Sequence, residues 1–181
     1  KQQVVASIVA RVTRRTKLAI ISHITSPTAL VMPISRICQP LAKREVMVCV
    51  DGSHAALQVE QSINALACDF YCGSCDKWLC GPLGTGYLYV HPRHQSSVRP
   101  PIISWGRLPP AGVQAWGDHF IWSGTGNPSA LLALPTAIDY FESIGADNFR
   151  RRSRYLSGLA EDRLMKLFAT RPLASREAGW Y

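Results

Sequence analysis

A carboxylate and an amine are the residues most able to do chemistry in this chain. Asp51 closes the apolar run Val46-Met47-Val48-Cys49-Val50 and is followed by Gly52-Ser53-His54. Lys77 lies in Gly73-Ser74-Cys75-Asp76-Lys77-Trp78, just beyond a second apolar run, Asp69-Phe70-Tyr71-Cys72. In open α/β sheets, ligands lie beyond the carboxyl ends of the strands, so both groups emerge where a cofactor would sit. An amine can hold an aldehyde as a Schiff base, and a carboxylate can keep a pyridine nitrogen protonated. These are the two groups that pyridoxal phosphate needs. Taken singly, Asp51-Gly52 is a common turn pair and Lys77 is a snorkelling lysine at a strand end. The glycine loop Gly81-Pro82-Leu83-Gly84-Thr85-Gly86 adds a place where backbone passes close to a cofactor or a partner, although alone it is merely a turn.

The elements that must position these groups alternate between α and β. Val4, Val5, Ile8, Val9 and Val12 share one face of a helix. Leu18-Ala19-Ile20-Ile21 is a short continuous apolar run, the pattern of a parallel strand buried on both faces. A second helix starts at Pro33 with Ile34, Ile37, Cys38 and Leu41 inward, and Pro40 is expected to end or kink it. Strands are expected at 46–50, 69–72 and 86–90, making four with the first. From Val98 to Gly117 the chain is rich in proline, glycine and tryptophan and reads as loop. Asn127 can cap a helix beginning at Pro128 and running to Ile144, where Gly145 stops it. Asp147 is expected to cap a last helix with Phe149, Leu156, Leu159 and Leu167 on one side.

The chain resembles the class V aminotransferase family, a branch of the fold-type I pyridoxal-phosphate enzymes. Within that family the likeness is to the isopenicillin N epimerase-like group and its cysteine desulfurase relatives. Four linked segments carry it, in the family's order: Ser22-His23-Ile24-Thr25-Ser26-Pro27-Thr28-Ala29, Asp51-Gly52-Ser53-His54, Gly73-Ser74-Cys75-Asp76-Lys77-Trp78 with Gly84-Thr85-Gly86, and Trp122-Ser123-Gly124-Thr125. The likeness runs from about residue 1 to about residue 160. It implies a mostly parallel sheet with flanking helices. Residues 1–117 would be the C-terminal part of the cofactor-binding large domain, and residues 118–181 an interface loop and helices leading into the small domain.

The resemblance also implies roles. Lys77 would hold pyridoxal 5'-phosphate as a Schiff base and act as the catalytic base and acid. Asp51 would bind the pyridinium nitrogen, and His54 would approach the phenolic oxygen together with Thr25 or Ser26. Ser74 would reach the phosphate, and Thr125 would reach it across the interface of a homodimer. An amino-acid substrate is implied, with epimerisation, carbon–sulfur lysis, desulfuration or transamination as outcomes. Relatives carry histidine immediately before the lysine, where this chain has the anion Asp76, and they often carry glycine at the position of Leu57. Residues before Lys1 would supply the phosphate-binding turn and the stacking aromatic, so the chain is expected to be a fragment or a truncated product.

Composition bounds the alternatives. At 181 residues, 47% apolar and with five tryptophans, the chain can build a real core, burying roughly 70% of its unfolded surface. No apolar run approaches the roughly 20 residues of a membrane span, and the first residues lack a signal-peptide layout. A cytoplasmic protein is expected. Cys72 and Cys75 have zinc spacing, with Cys68 and Cys80 nearby, but no second pair stands at the usual distance, so no metal is expected. The net charge of +8 raises nucleic acid as a partner. The Arg150-Arg151-Arg152 run with Arg154 lies on an amphipathic helix without interleaved aromatics, so a solvated face is expected instead. A degenerate, non-catalytic relative is the main rival reading, with a basic nucleic-acid-binding module behind it.

Overall fold

Apolar strand runs interleaved with amphipathic helices form an α/β structure in the computed structural model, which describes residues 1–60, 62–102, 115–121, 123–176 and 179–181. Helix α1 (Gln2–Ala10) leads to β1 (Leu18–Ser22), α2 (Ile34–Ala42), β2 (Met47–Asp51), a 3-10 turn (Ile63–Leu66), β3 (Phe70–Ser74) and β4 (Gly86–Val90). Further helices among the described residues are α3 (Pro92–Gln95), α4 (Asp118–Ile121), α5 (Ser129–Leu132), α6 (Leu134–Ile144) and α7 (Ala146–Phe168). The sheet order is β1-β2-β3-β4, with β1, β2 and β3 parallel and β4 antiparallel to β3. The three parallel strands therefore end on one rim. Their register sets Ser22 beside Asp51 and Asp51 beside Cys72.

One face of the sheet carries the core. Ile34, Ile37, Cys38 and Leu41 of α2 are buried in one cluster with Val46, Val48, Val50, Leu66, Cys68 and Tyr71, and Val5, Ile8 and Val12 pack at its edge. The expected break at Pro40 does not occur, and α2 continues to Ala42. An interior proline costs about 3 kcal/mol. Each fully buried Leu or Ile returns roughly 2 kcal/mol, so the four apolar anchors of this short helix outweigh the loss.

Three other expectations need correction. β1 is buried on one face only, since Ile20 is 70% exposed and Leu18 44%. Its side chains alternate between the core and a second, apolar sheet face that also carries Leu88. The helix expected from Pro128 to Ile144 is split at Ala133 into α5 and α6. Pro135 lacks an amide hydrogen and is accommodated without cost in a first turn, where it stands at the start of α6. Asn127 does serve the start of α5, accepting from the Ser129 amide at 3.0 Å. Asp147 is not a cap. Gly145 precedes α7 with φ +78°, and Asp147 pairs with Arg150 inside the first turn. The expected loop at 98–117 lies largely outside the described residues.

Asp69 locks the sheet to α3. Its carboxylate, 4% exposed, accepts from the Val48 amide at 2.8 Å and from Arg93 Nη2 at 2.5 Å, and lies 2.5 Å from His94 Nε2. Burial pushes this carboxyl up, but the bonds from Arg93, Val48 and His94 prevail and hold it below its ordinary value. The stability it contributes is therefore present above the ordinary carboxyl range and is lost as pH falls through the lowered value. Asp69→Asn should cost about 2 kcal/mol, discounted because Arg93 is half exposed. Urea unfolding at pH 7 and at pH 3.5 checks this. A cost that does not shrink at the lower pH would contradict the charge argument.

Candidate active site

The site is built where β1, β2 and β3 end. The β1 chain leaves through His23, whose amide donates to the Asp51 carbonyl at 2.8 Å, and returns through a bridge between Ile24 and Val31. Thr25 closes the intervening turn. Its hydroxyl accepts from the Leu30 amide at 3.0 Å and lies 2.6 Å from the Thr28 hydroxyl, while Ser26 is exposed.

At the end of β2 the Asp51 carboxylate accepts from the Ser53 amide at 3.0 Å. Burial pushes the Asp51 carboxyl up. Hydrogen bonds from the Ser53 hydroxyl and amide, with the charges of Lys77 and His54 behind them, prevail and hold it below its ordinary value. Gly52 comes next because nothing larger fits. A Cβ there would lie 2.1 Å from the Tyr71 ring.

Lys77 stands on the loop between β3 and β4, and its Nζ lies 3.4 Å from Nε2 of His54. The fold thus brings Asp51, His54 and Lys77 together across the sheet rim. Lys77 is exposed in this chain. Ser74 ends β3 half-buried, in register with Gly86. The glycine loop serves the chain's own packing, since a Cβ at Gly86 would meet the Gly73 carbonyl at 2.8 Å. Thr125 is exposed and is not among the residues that line the neighbouring cavity, and Trp122 of the same segment lies outside the described residues.

That cavity has a volume of about 1070 Å³ and opens between the rim and α7. Thr25, Ser26, His54 and Trp78 line its sheet side, and Arg154 and Glu161 its helix side. Asp51 and Lys77 are not in its wall but adjoin His54. The reading from sequence missed His23, which also lines the cavity. Its ring is 5% exposed, with Nδ1 3.1 Å from the Tyr71 hydroxyl, and burial pushes its pKa down to about 4. The only signal was its place in the Ser22–Ala29 segment, with nothing to name Tyr71 as its partner.

The donor set fits pyridoxal phosphate on the ring side: the carboxylate of Asp51 held ionised, the imidazole of His54, and the exposed amine of Lys77 beside it. Asp76, half-buried beside Lys77, adds to the burial that pushes the Cys75 thiol up. Among the described residues, no group of three or more His, Cys, Asp or Glu could hold a metal ion, and no helix is long and apolar enough to cross a membrane. The basic run on α7 is tied up locally. Arg150 pairs with Asp147, Arg151 bonds Asn148, and Arg152 lies 5.5 Å from the Tyr155 ring centre.

The family model described as aminotransferase class-V matches residues 2–178. The isopenicillin N epimerase of Amycolatopsis lactamdurans is 32% identical over 98% of this chain and 47% of its own length. The crystal structure of the cysteine desulfurase CsdA from Escherichia coli, in an S-sulfonic acid form, superposes with a TM-score of 0.75 at 25% identity, over 90% of this chain and 41% of that one. A C-DES mutant with glycine covalently linked to its PLP cofactor shares the fold, with a TM-score of 0.73 at 24% identity over 81% of this chain and 41% of that one. The chain spans less than half the length of each of these relatives. Matched from its second residue almost to its end, it belongs to the class V aminotransferase family.

Proposed function

We propose that this chain carries the cofactor-holding part of a pyridoxal-phosphate-dependent enzyme that acts on an amino acid, of epimerase, carbon–sulfur lyase or desulfurase type. The observation that carries the reading is the meeting of two separate segments at the sheet rim: Asp51 and His54 after β2, and Lys77 after β3, with Lys77 Nζ 3.4 Å from the His54 ring. Similarity to an epimerase and to cysteine desulfurases supports an amino acid as the substrate class. Residues 1–117 are read as large domain and residues 118–181 as the passage into a small domain.

When bound, the cofactor would supply an electron sink for bond breaking at the substrate α-carbon. Lys77 is the amine that holds the cofactor covalently, and its Nζ moves the proton at that α-carbon. Asp51, already ionised, holds a proton on the ring nitrogen by pairing with it. His54 orients the phenolic oxygen, with Thr25 or Ser26 beside it on the cavity wall. Ser74 donates to the phosphate, and Thr125 does so from a second copy in a homodimer, consistent with its exposure here. Incubating the intact protein with pyridoxal phosphate, reducing with borohydride and mapping peptides should find the adduct on Lys77. An adduct on another lysine, with Lys77 unmodified, would sink the assignment.

One observation favours a second reading, a relative that keeps the fold without the chemistry. Asp76 stands beside the lysine where a phosphate-binding group is expected, and a like charge at close range repels. Asp76→His should then tighten cofactor affinity by about 1–3 kcal/mol. Equilibrium titration of the visible band measures it. An unchanged or weaker affinity would remove the main support for the non-catalytic reading.

A further inference from the structure

The tail that follows α7, described at 169–176 and 179–181, crosses the cavity from its helix wall to its sheet wall. Arg176 fixes it to α7. The guanidinium pairs with Glu161, lies 2.9 Å from Asp162 Oδ1 and donates to the Gly158 carbonyl at 2.9 Å. At its other end the tail meets the rim, where the Val31 amide donates to the Trp180 carbonyl at 2.7 Å. Lys1 holds this end too. Its Nζ donates to the Gly179 carbonyl and lies 5.4 Å from the centre of the half-buried Trp180 ring. Pro172, Leu173, Arg176, Gly179 and Tyr181 thereby share the cavity wall with Thr25, Ser26 and His54.

Among the described residues, no hydrogen bond or ion pair runs directly from α7 to the rim, so the polar connection between the two walls passes through the tail. Its rim anchor, Val31, closes the turn that carries Thr25 and Ser26. The holds on the tail are superficial. Arg176 and Asp162 are exposed, and Leu173 and Tyr181 stay exposed as well, so no buried core pins it. Exposed ion pairs are weak and are screened by salt. Such a segment opens far more readily than the buried sheet beneath it. We propose that the tail is a strap over the cavity: fastened, it ties α7 to the rim and narrows the way to Thr25 and His54, and released, it lets a ligand pass. The inference rests on the pyridoxal-phosphate reading for what passes, a cofactor or an amino acid, but not for the strap itself.

The test combines Lys1→Ala with Arg176→Ala in the intact, cofactor-free protein, which removes the charged holds at both ends and leaves the Val31–Trp180 bond. Hydrogen exchange at two neighbouring amides is the first readout. Val31 donates to the strap, whereas Met32 donates to the His23 carbonyl at 2.8 Å within the rim. Exchange at Val31 should quicken about tenfold, the ratio expected when several exposed charge contacts are lost together, while Met32 keeps its rate. Acylation of the His54 imidazole by diethyl pyrocarbonate is the second readout. It should quicken about threefold or more as the strap opens, with His91, at the opposite rim, unchanged. Wild-type protein in about 1 M salt, where charges are screened within about 3 Å, should move in the same direction without any substitution. Val31 and Met32 quickening together, the mark of a loosened turn, overturns the proposal. So does a Val31 amide that quickens while His54 reacts at its wild-type rate, since the tail would then close nothing. Rates unchanged in both the variant and high salt overturn it as well. A wild-type protein that takes up no cofactor at Lys77 defeats the pyridoxal-phosphate reading, while the exchange and acylation rates still decide the strap.

Discussion

Gly52→Ala should cost about 3 kcal/mol of stability, the upper end of what an overpacked core methyl costs. The added carbon would lie 2.1 Å from Tyr71 Cε1 and 2.2 Å from its hydroxyl oxygen, distances that real contacts do not tolerate. Neither partner can retreat cheaply. Tyr71 is fully buried, tied to His23 at 3.1 Å and stacked against Tyr87. On the other side, the Gly52 amide is committed to the Cys72 carbonyl. Urea unfolding measures the cost directly, and the same substitution in a Tyr71→Leu background supplies the control. There the methyl has room, and the penalty should drop below about 1 kcal/mol. Equal penalties in both backgrounds would show that the glycine serves something other than clearance over the ring.

The second large effect is a loss of stability in mild acid. Burial pushes the His23 pKa from 6.5 to about 4 in the folded chain. The folded state thus prefers the neutral ring, whereas the unfolded chain takes up a proton below its own, higher value. The contribution is full above pH 6.5 and is lost as pH falls from there toward 4, where it amounts to about 3 kcal/mol. Asp51 and Asp69 are both held below the ordinary 3.8, so their losses fall at lower pH and leave this window to the histidine. Denaturation midpoints at pH 7, 5.5 and 4.5 should fall for the wild-type chain. They should stay nearly flat for His23→Asn, which has nothing to titrate. Parallel profiles for the two would contradict the assignment.

Much of this architecture can be read from residue order. Apolar runs flanked by turn residues mark all four strands to within two residues, because a strand's pattern is local. The amphipathic stripe of α2 is equally plain, and its four inward residues are the four that are buried. Pro40 misled because its cost is local while its compensation is tertiary: nothing in the run of residues states how deeply Ile37 and Leu41 sink. At Pro135 the proline stands in a first turn, where it costs nothing, and the break falls just before it, against the apolar pattern around it. For the site, the parallel register makes the meeting of Asp51 and Lys77 at one rim legible. The grip of His23 on Tyr71 joins residues 48 apart and leaves no trace in spacing. The exposure of Lys77 was likewise out of reach, since flanking Cys75 and Trp78 say only what surrounds it in sequence.

The lysine's loop has a consequence for the order of folding events. Residues 75–85 are closed at their base by the Ser74–Gly86 pair of an antiparallel hairpin, a contact between near neighbours in sequence. Loops of about ten residues close within roughly 100 ns, and hairpins form within microseconds. Asp51 reaches the rim only when β2 joins β1 and β3 in parallel, across crossovers that include α2, so its pairing must await distant segments. The amine side of the site is thus assembled early and autonomously, whereas the carboxylate side arrives with the global transition. A refolding chain will display Lys77 on its native hairpin before any partner for its charge exists.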